Sequence, residues 1–223
     1  EIGVRVLFEA PTVAALAVRA ELQAGAGARA ALVPQDRPAL VPLSLAQQRM
    51  WFLNRFDTAS AVDNIPVAVR LSGLLDRQAL QIAIADVLAR HESLRTLYPE
   101  ADGAGYQEIV PTAQVIPDLT PIEVTEAELP GLVRDLVLTG FDVSAMVPFR
   151  ARLYEVSPTE HILALVVHHI SADGFSMGPL TRDVMTAYAA RVDGGEPAWT
   201  PLAVQYADYA LWQRSVLGSE NDA

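Results

Sequence analysis

Apolar positions along this chain recur with two periods, and the switch between them marks out its elements. Leu80, Ile84, Val87 and Leu88 share one helical face behind Asp76, so a helix is predicted from Asp76 to about His91. Ser44-Leu45-Ala46-Gln47 has the S-x-x-Q form of a capping box and opens a helix to about Phe56 that carries Met50, Trp51 and Leu53. Residues 67–71 read as a strand that breaks at Gly73, and 106–110 as a strand that follows the turn Ala101-Asp102-Gly103-Ala104-Gly105. A T-x-x-E start at Thr125 and Glu128 predicts a helix over 125–138, with Pro130 early enough to be tolerated. Residues 149–156 and 162–168 read as two strands joined through Ser157-Pro158-Thr159-Glu160. Helices over 176–191 and 204–217 follow, separated by a turn at Asp193-Gly194-Gly195. Helices alternating with hairpin-like strands give an α+β or mixed α/β fold.

The N-terminal part is different. Residues 7–17 read as a short helix, with Pro11 in its first turn and Val13, Leu16 and Ala17 on one face. Residues 25–42 hold Gly25-Ala26-Gly27-Ala28 and then Pro34, Pro38 and Pro42, a linker that is flexible first and stiffer later. The expected division is therefore 1–24, a linker over 25–42, and a domain over 43–223. The chain starts at Glu1 without Met or a signal-peptide pattern, which suggests a segment of a longer protein.

Composition narrows the function classes. Of 223 residues, 51% are hydrophobic, enough to bury a sizeable core, yet no uncharged apolar run is long enough for a membrane span. The net charge of −11 comes without a basic stripe, which speaks against nucleic acid and anionic membranes as partners. With no cysteine, the chain has no disulfide, thiolate metal site or cysteine nucleophile, and it fits a cytoplasmic protein.

The chemistry concentrates in His168-His169-Ile170-Ser171-Ala172-Asp173-Gly174, at the end of an apolar strand and before a helix. An imidazole there is held by the sheet yet opens onto a cleft, and it titrates near neutral pH, so it can act as a general base. Asp173 can brace the loop, and Gly174 lets the backbone turn or come close to a substrate. Successive strand side chains face opposite ways, so His168 and His169 cannot share one cleft.

This H-H-x-x-x-D-G stretch resembles the core motif of the condensation domains of nonribosomal peptide synthetases, whose shorter form recurs in chloramphenicol acetyltransferase. Three further stretches match the same family in order: Ser44-Leu45-Ala46-Gln47-Gln48-Arg49-Met50-Trp51-Phe52-Leu53, Arg90-His91-Glu92-Ser93-Leu94-Arg95-Thr96 and Tyr206-Ala207-Asp208-Tyr209-Ala210-Leu211-Trp212. Asn64-Ile65-Pro66 is also similar, and the resemblance covers about residues 43–217. Trp51 and Trp212 read as core residues, His91 as a helix-end histidine favoured by the helix dipole, and the helical motifs as structural. Arg95 is a candidate partner for Asp173, as is an arginine beyond this chain.

The resemblance implies an α+β, chloramphenicol acetyltransferase-like lobe, the first of two, with the active site in a tunnel between them. The second lobe is missing, so the isolated lobe is expected to expose a large apolar face and to be inactive. The stretch over 1–24 resembles the last helix of a peptidyl carrier domain. The implied reaction is peptide-bond formation between a donor acyl thioester and an acceptor aminoacyl thioester. Both are carried on the 4'-phosphopantetheine arms of upstream and downstream peptidyl carrier domains. No cofactor bound by this chain, no ATP and no metal is implied. His169 is the implied active histidine, as a base or by holding the amine; Asp173 braces the loop through an ion pair, Gly174 admits acceptor or pantetheine, and His168 is structural. The intact histidines and Gly174 favour condensation over heterocyclization, epimerization or inactive recruitment, and the motif flanks favour an L-configured donor. A CoA-dependent acyltransferase of the same superfamily and a non-catalytic carrier-docking module are the alternatives.

Overall fold

In this computed structural model, residues 4–23 and 30–217 are described, and they fall in two compact units, Glu1–Leu32 and Val33–Ala223. The first unit holds α1 (Val4–Glu9) and α2 (Val13–Gln23). The single helix expected over 7–17 is thus divided. Pro11 lacks an N–H and disfavours helical backbone at Ala10, so the helix stops before it. It restarts behind Thr12, whose Oγ1 accepts the Ala15 N–H at 3.2 Å.

Of the stretch expected as a linker, residues 25–29 lie outside the described residues, and 33–42 belong to the larger unit. Val41 is buried, and β1 (Val41–Pro42) is a strand, because its spaced prolines suit an extended edge segment. α3 (Leu45–Asn54) follows with both halves of the capping box in place: Ser44 Oγ accepts the Gln47 N–H at 3.1 Å, and Gln47 Oε1 accepts the Ser44 N–H at 3.0 Å. β2 (Asn64–Ser72) is longer than expected and includes Pro66. It lies at a sheet edge, where a residue without an N–H is tolerated. α4 (Arg77–Arg90) begins behind Asp76, whose Oδ1 accepts the Ala79 N–H at 2.9 Å.

A 3-10 turn at Glu92–Arg95 leads into β3 (Thr96–Leu97), β4 (Glu100–Ala101) and β5 (Ala104–Ile109). β5 pairs with β1, β3 and β4 in a small antiparallel sheet. β6 (Ile122–Glu123) precedes α5 (Leu129–Leu138). The expected capping pair does form, since Glu128 Oε2 accepts both the N–H and Oγ1–H of Thr125, but it closes a turn before the helix, which starts four residues later than predicted. β7 (Phe149–Ser157) and β8 (Glu160–His168) make the expected hairpin with a tighter turn of Pro158-Thr159. A 3-10 turn (Gly174–Ser176), α6 (Met177–Val192) and α7 (Tyr206–Leu217) complete the chain.

The larger sheet runs β2-β8-β7-β6, with β8 antiparallel to both neighbours. Its two faces carry separate cores. Leu163, Leu165 and Val167 pack with Leu80, Ile84, Val87 and Leu88 of α4 and Leu180 and Val184 of α6. Ile162, Ala164 and Val166 pack with Leu129 and Leu136 of α5, Phe141, Val143 and Trp51. At about 1.5–3 kcal/mol per buried aliphatic side chain, this double burial is the main stabilising contribution to the unit. The α+β fold with flanking helices is as expected from the sequence.

One close approach fixes a residue type in the small sheet. A Cβ built on Gly105 would stand 2.7 Å from Leu43 Cδ1 and 2.8 Å from the Trp51 ring. Gly105→Ala is therefore expected to destabilise the unit by about 1–3 kcal/mol, read as a lower urea midpoint at unchanged m-value.

Candidate active site

β8 ends at His168, which is 1% exposed, whereas His169 is exposed. The parity of the strand explains the split. His168 follows Ile162, Ala164 and Val166 onto the α5 face, where it meets Phe141 edge-on at 6.0 Å. Its Nδ1 accepts the Ile170 N–H at 3.1 Å, and its carbonyl accepts Ser171 N–H and Oγ–H, both at 3.0 Å. Burial pushes the His168 pKa below the usual histidine value, which outweighs the nearby Asp63 charge. His168 is thus a neutral turn-former with Nε2 protonated. His169 donates its backbone N–H to Asp63 O at 2.8 Å, which ties the strand end to the start of β2 and leaves the imidazole free of that work.

Asp173 is the N-cap of the turn Gly174–Ser176. Its Oδ1 accepts Ser176 Oγ–H at 2.6 Å and Ser176 N–H at 2.9 Å, while Ser176 Oγ accepts the Asp173 N–H at 3.1 Å. These bonds, with a smaller push from His169, hold its carboxyl below the ordinary carboxylate range. The loop is braced by a capping box, and among the described residues no arginine pairs with Asp173. Arg95 does not reach Asp173. Its Nε donates to Leu88 O at 3.0 Å and its Nη1 to Val110 O at 2.7 Å, because the backbone carbonyls left at the end of α4 and of β5 lie nearer. Gly174 is not needed for the turn itself. Its φ lies outside the left-handed region, and a Cβ there would meet nothing within 4 Å.

His169, Asp173 and Ser176 line a cavity of about 410 Å³ together with Gln47, His91, Ser93 and Tyr206. All four motif stretches therefore reach one space, to which the motifs read as mainly structural contribute Gln47, His91, Ser93 and Tyr206. Polarity does not single them out, since Gln48 and Arg49 follow Gln47 and the 90–96 stretch is polar apart from Leu94. Trp51 is buried as expected, and its Nε1 donates to Tyr98 O at 2.9 Å. Trp212 is half-buried, with its ring 5.8 Å from that of Tyr209. Tyr206 Oη shares a 3.1 Å hydrogen bond with Ser44 Oγ, and burial raises its pKa, the Ser44 bond opposing. α7 is held in register by Asp208: burial pushes its carboxyl up, but the Gln205 N–H and Arg37 bring it below the usual range. Among the described residues no group of three or more metal-ligating side chains occurs, and no helix is long and apolar enough to cross a membrane.

Residues 39–223 match the condensation domain family model, and the chain belongs to that family. It is 50% identical over 222 residues to a dimodular nonribosomal peptide synthase of Bacillus subtilis (strain 168), a match that covers all of this chain and 9% of that protein. Among solved structures, it is similar to the X-domain in a complex with OxyB from teicoplanin biosynthesis: 40% identity, TM-score 0.80, covering 89% of this chain and 43% of that one. The first condensation domain of the calcium-dependent antibiotic synthetase shares the fold at TM-score 0.70 and 20% identity, with 82% of this chain and 45% of that chain covered. The chain thus spans under half the length of these structures and a small part of the synthase.

The state of His168 sets a pH dependence. Its folded pKa is depressed, so its contribution to stability is complete above about pH 6.5 and is lost as pH falls from there through the folded pKa. Urea unfolding at pH 7 and pH 5 is expected to show a smaller loss of stability in His168→Asn than in the wild type.

Proposed function

We infer that this chain is the first lobe of a condensation domain that forms an amide bond between carrier-bound thioesters, with His169 at the reacting amine. The observation that carries this reading is the split of the histidine pair: one ring is sealed and neutral in the core, and the other is exposed at a cavity that the four longer motif stretches share. The acceptor amine attacks the donor carbonyl, the C–N bond forms, the C–S bond breaks, and a proton passes from nitrogen to the departing thiolate. A thioester is already activated, so holding two tethered reactants in line supplies much of the rate. His169 accepts the amine proton or holds the amine by a hydrogen bond. The ionised Asp173 fixes the loop and places negative charge where an ammonium arrives. Open space beside Gly174 suits approach of the acceptor or its pantetheine arm.

The same reading takes 1–24 as the end of a peptidyl carrier domain. In support, the alignment to the Bacillus subtilis synthase extends across those residues. Upstream and downstream carriers are the partners, a second lobe closes the tunnel, the phosphopantetheine belongs to the carriers, and the location is cytoplasmic. A second reading, a docking module without chemistry, draws on the likeness to an X-domain solved in complex with OxyB. Loaded donor and acceptor carriers, mixed with the two-lobed domain and followed by intact-protein mass spectrometry, separate the two. Dipeptidyl carrier is expected with the wild type and at least about 100-fold less with folded His169→Ala. Equal product from both removes His169 from the reaction, and no product from either favours docking.

A further inference from the structure

His91 stands at the C-terminal cap of α4 and lines the same cavity as His169. Its Nε2 lies 2.8 Å from Asp183 Oδ2, and that oxygen also accepts the Arg90 Nε–H at 2.9 Å. Asp183 comes from α6 and is 9% exposed. A carboxylate held by an arginine only accepts, so His91 Nε2 must carry a hydrogen and donate it. In the Nε2–H tautomer the ring's lone pair is on Nδ1. That atom has no hydrogen-bond partner among the described residues, and it is not one of the polar atoms sealed without a partner in the core. A histidine kept only to brace the α4–α6 contact needs the Asp183 bond and nothing on its other edge.

Several other acceptors at or beside the cavity wall are already engaged among the described residues, although Ser93 Oγ is not. Gln47 Oε1 takes the Ser44 N–H, Asp173 Oδ1 takes both donors of Ser176, and Ser44 Oγ and Tyr206 Oη are paired. An amine offers at least two N–H donors, and His169 alone satisfies one.

We propose that His91 Nδ1 accepts a hydrogen bond from the acceptor amine, which is thereby held between the His91 and His169 imidazoles, with Asp183 setting the His91 tautomer. This rests on the condensation reading above. It makes His91 a substrate-positioning residue for the acceptor and leaves the donor untouched.

The two edges of the ring can be tested separately in the two-lobed domain with loaded carriers. In His91→Gln the amide N–H replaces Nε2 toward Asp183 and nothing replaces Nδ1. The melting temperature is expected to stay within about 2 °C of wild type, the acceptor KM to rise about five- to tenfold, and the donor KM to stay the same. His91→Asn keeps a polar atom at the Nδ1 position and loses Asp183, so it is expected to melt lower with an acceptor KM near wild type. An unchanged acceptor KM in His91→Gln overturns the proposal. So does a KM that follows the melting temperature across both variants, since that is the mark of a bracing role alone. Absence of product from wild type overturns the condensation reading and this inference with it.

Discussion

β8 is paired along its length on both sides and covered on both faces, and the remaining architecture is arranged around that double burial. A strand in this position has no freedom of register, because a slip of one residue would move Leu163, Leu165 and Val167 into the opposite core. The strand's end is therefore a fixed point. The first histidine is delivered into the α5 core and the second onto the other side of the chain. The division of labour within the pair follows from packing before any chemistry is considered.

Arginines secure what surrounds that point. Arg150 donates to Thr139 O at 3.1 Å and Gly140 O at 3.0 Å and lies 4.1 Å from the Phe141 ring, the ring that meets His168. Arg37 joins Glu92 at 2.7 Å and Asp208 at 3.3 Å, which links the segment before β1 to the turn after α4 and to α7. Arg214 donates to Leu43 O at 2.7 Å. These partly buried contacts join pieces far apart in sequence, and each satisfies a backbone or carboxylate oxygen that would otherwise be costly to bury. As a result, the cavity wall is built from the helix start at Ser44, the turn after α4, the loop after β8 and the first turn of α7.

Much of this was legible in local pattern. The caps at Ser44 and Asp76, the α4 core face, the β7–β8 hairpin and the α+β class follow from spacing, since each depends on neighbours within a few residues. The division of the helix expected over 7–17 was not legible, because Pro11 fits a first turn as readily as a break. Nor was the start of α5, since the Thr125–Glu128 pair can close a turn as well as cap a helix.

For the site, the sequence by itself determined that the histidines lie at a strand end on opposite sides. Alternation along a strand is a property of adjacent residues. Only the tertiary structure decided that Asp173 is satisfied by Ser176 and not by Arg95, and that His91 is held by Asp183 from another helix. It also decided that Gln47, Ser93 and Tyr206 share the cavity of His169. The physical reason is that hydrogen-bond partners are chosen by proximity in the folded chain, and packing of α4, α6 and α7 sets that proximity across more than a hundred residues of sequence.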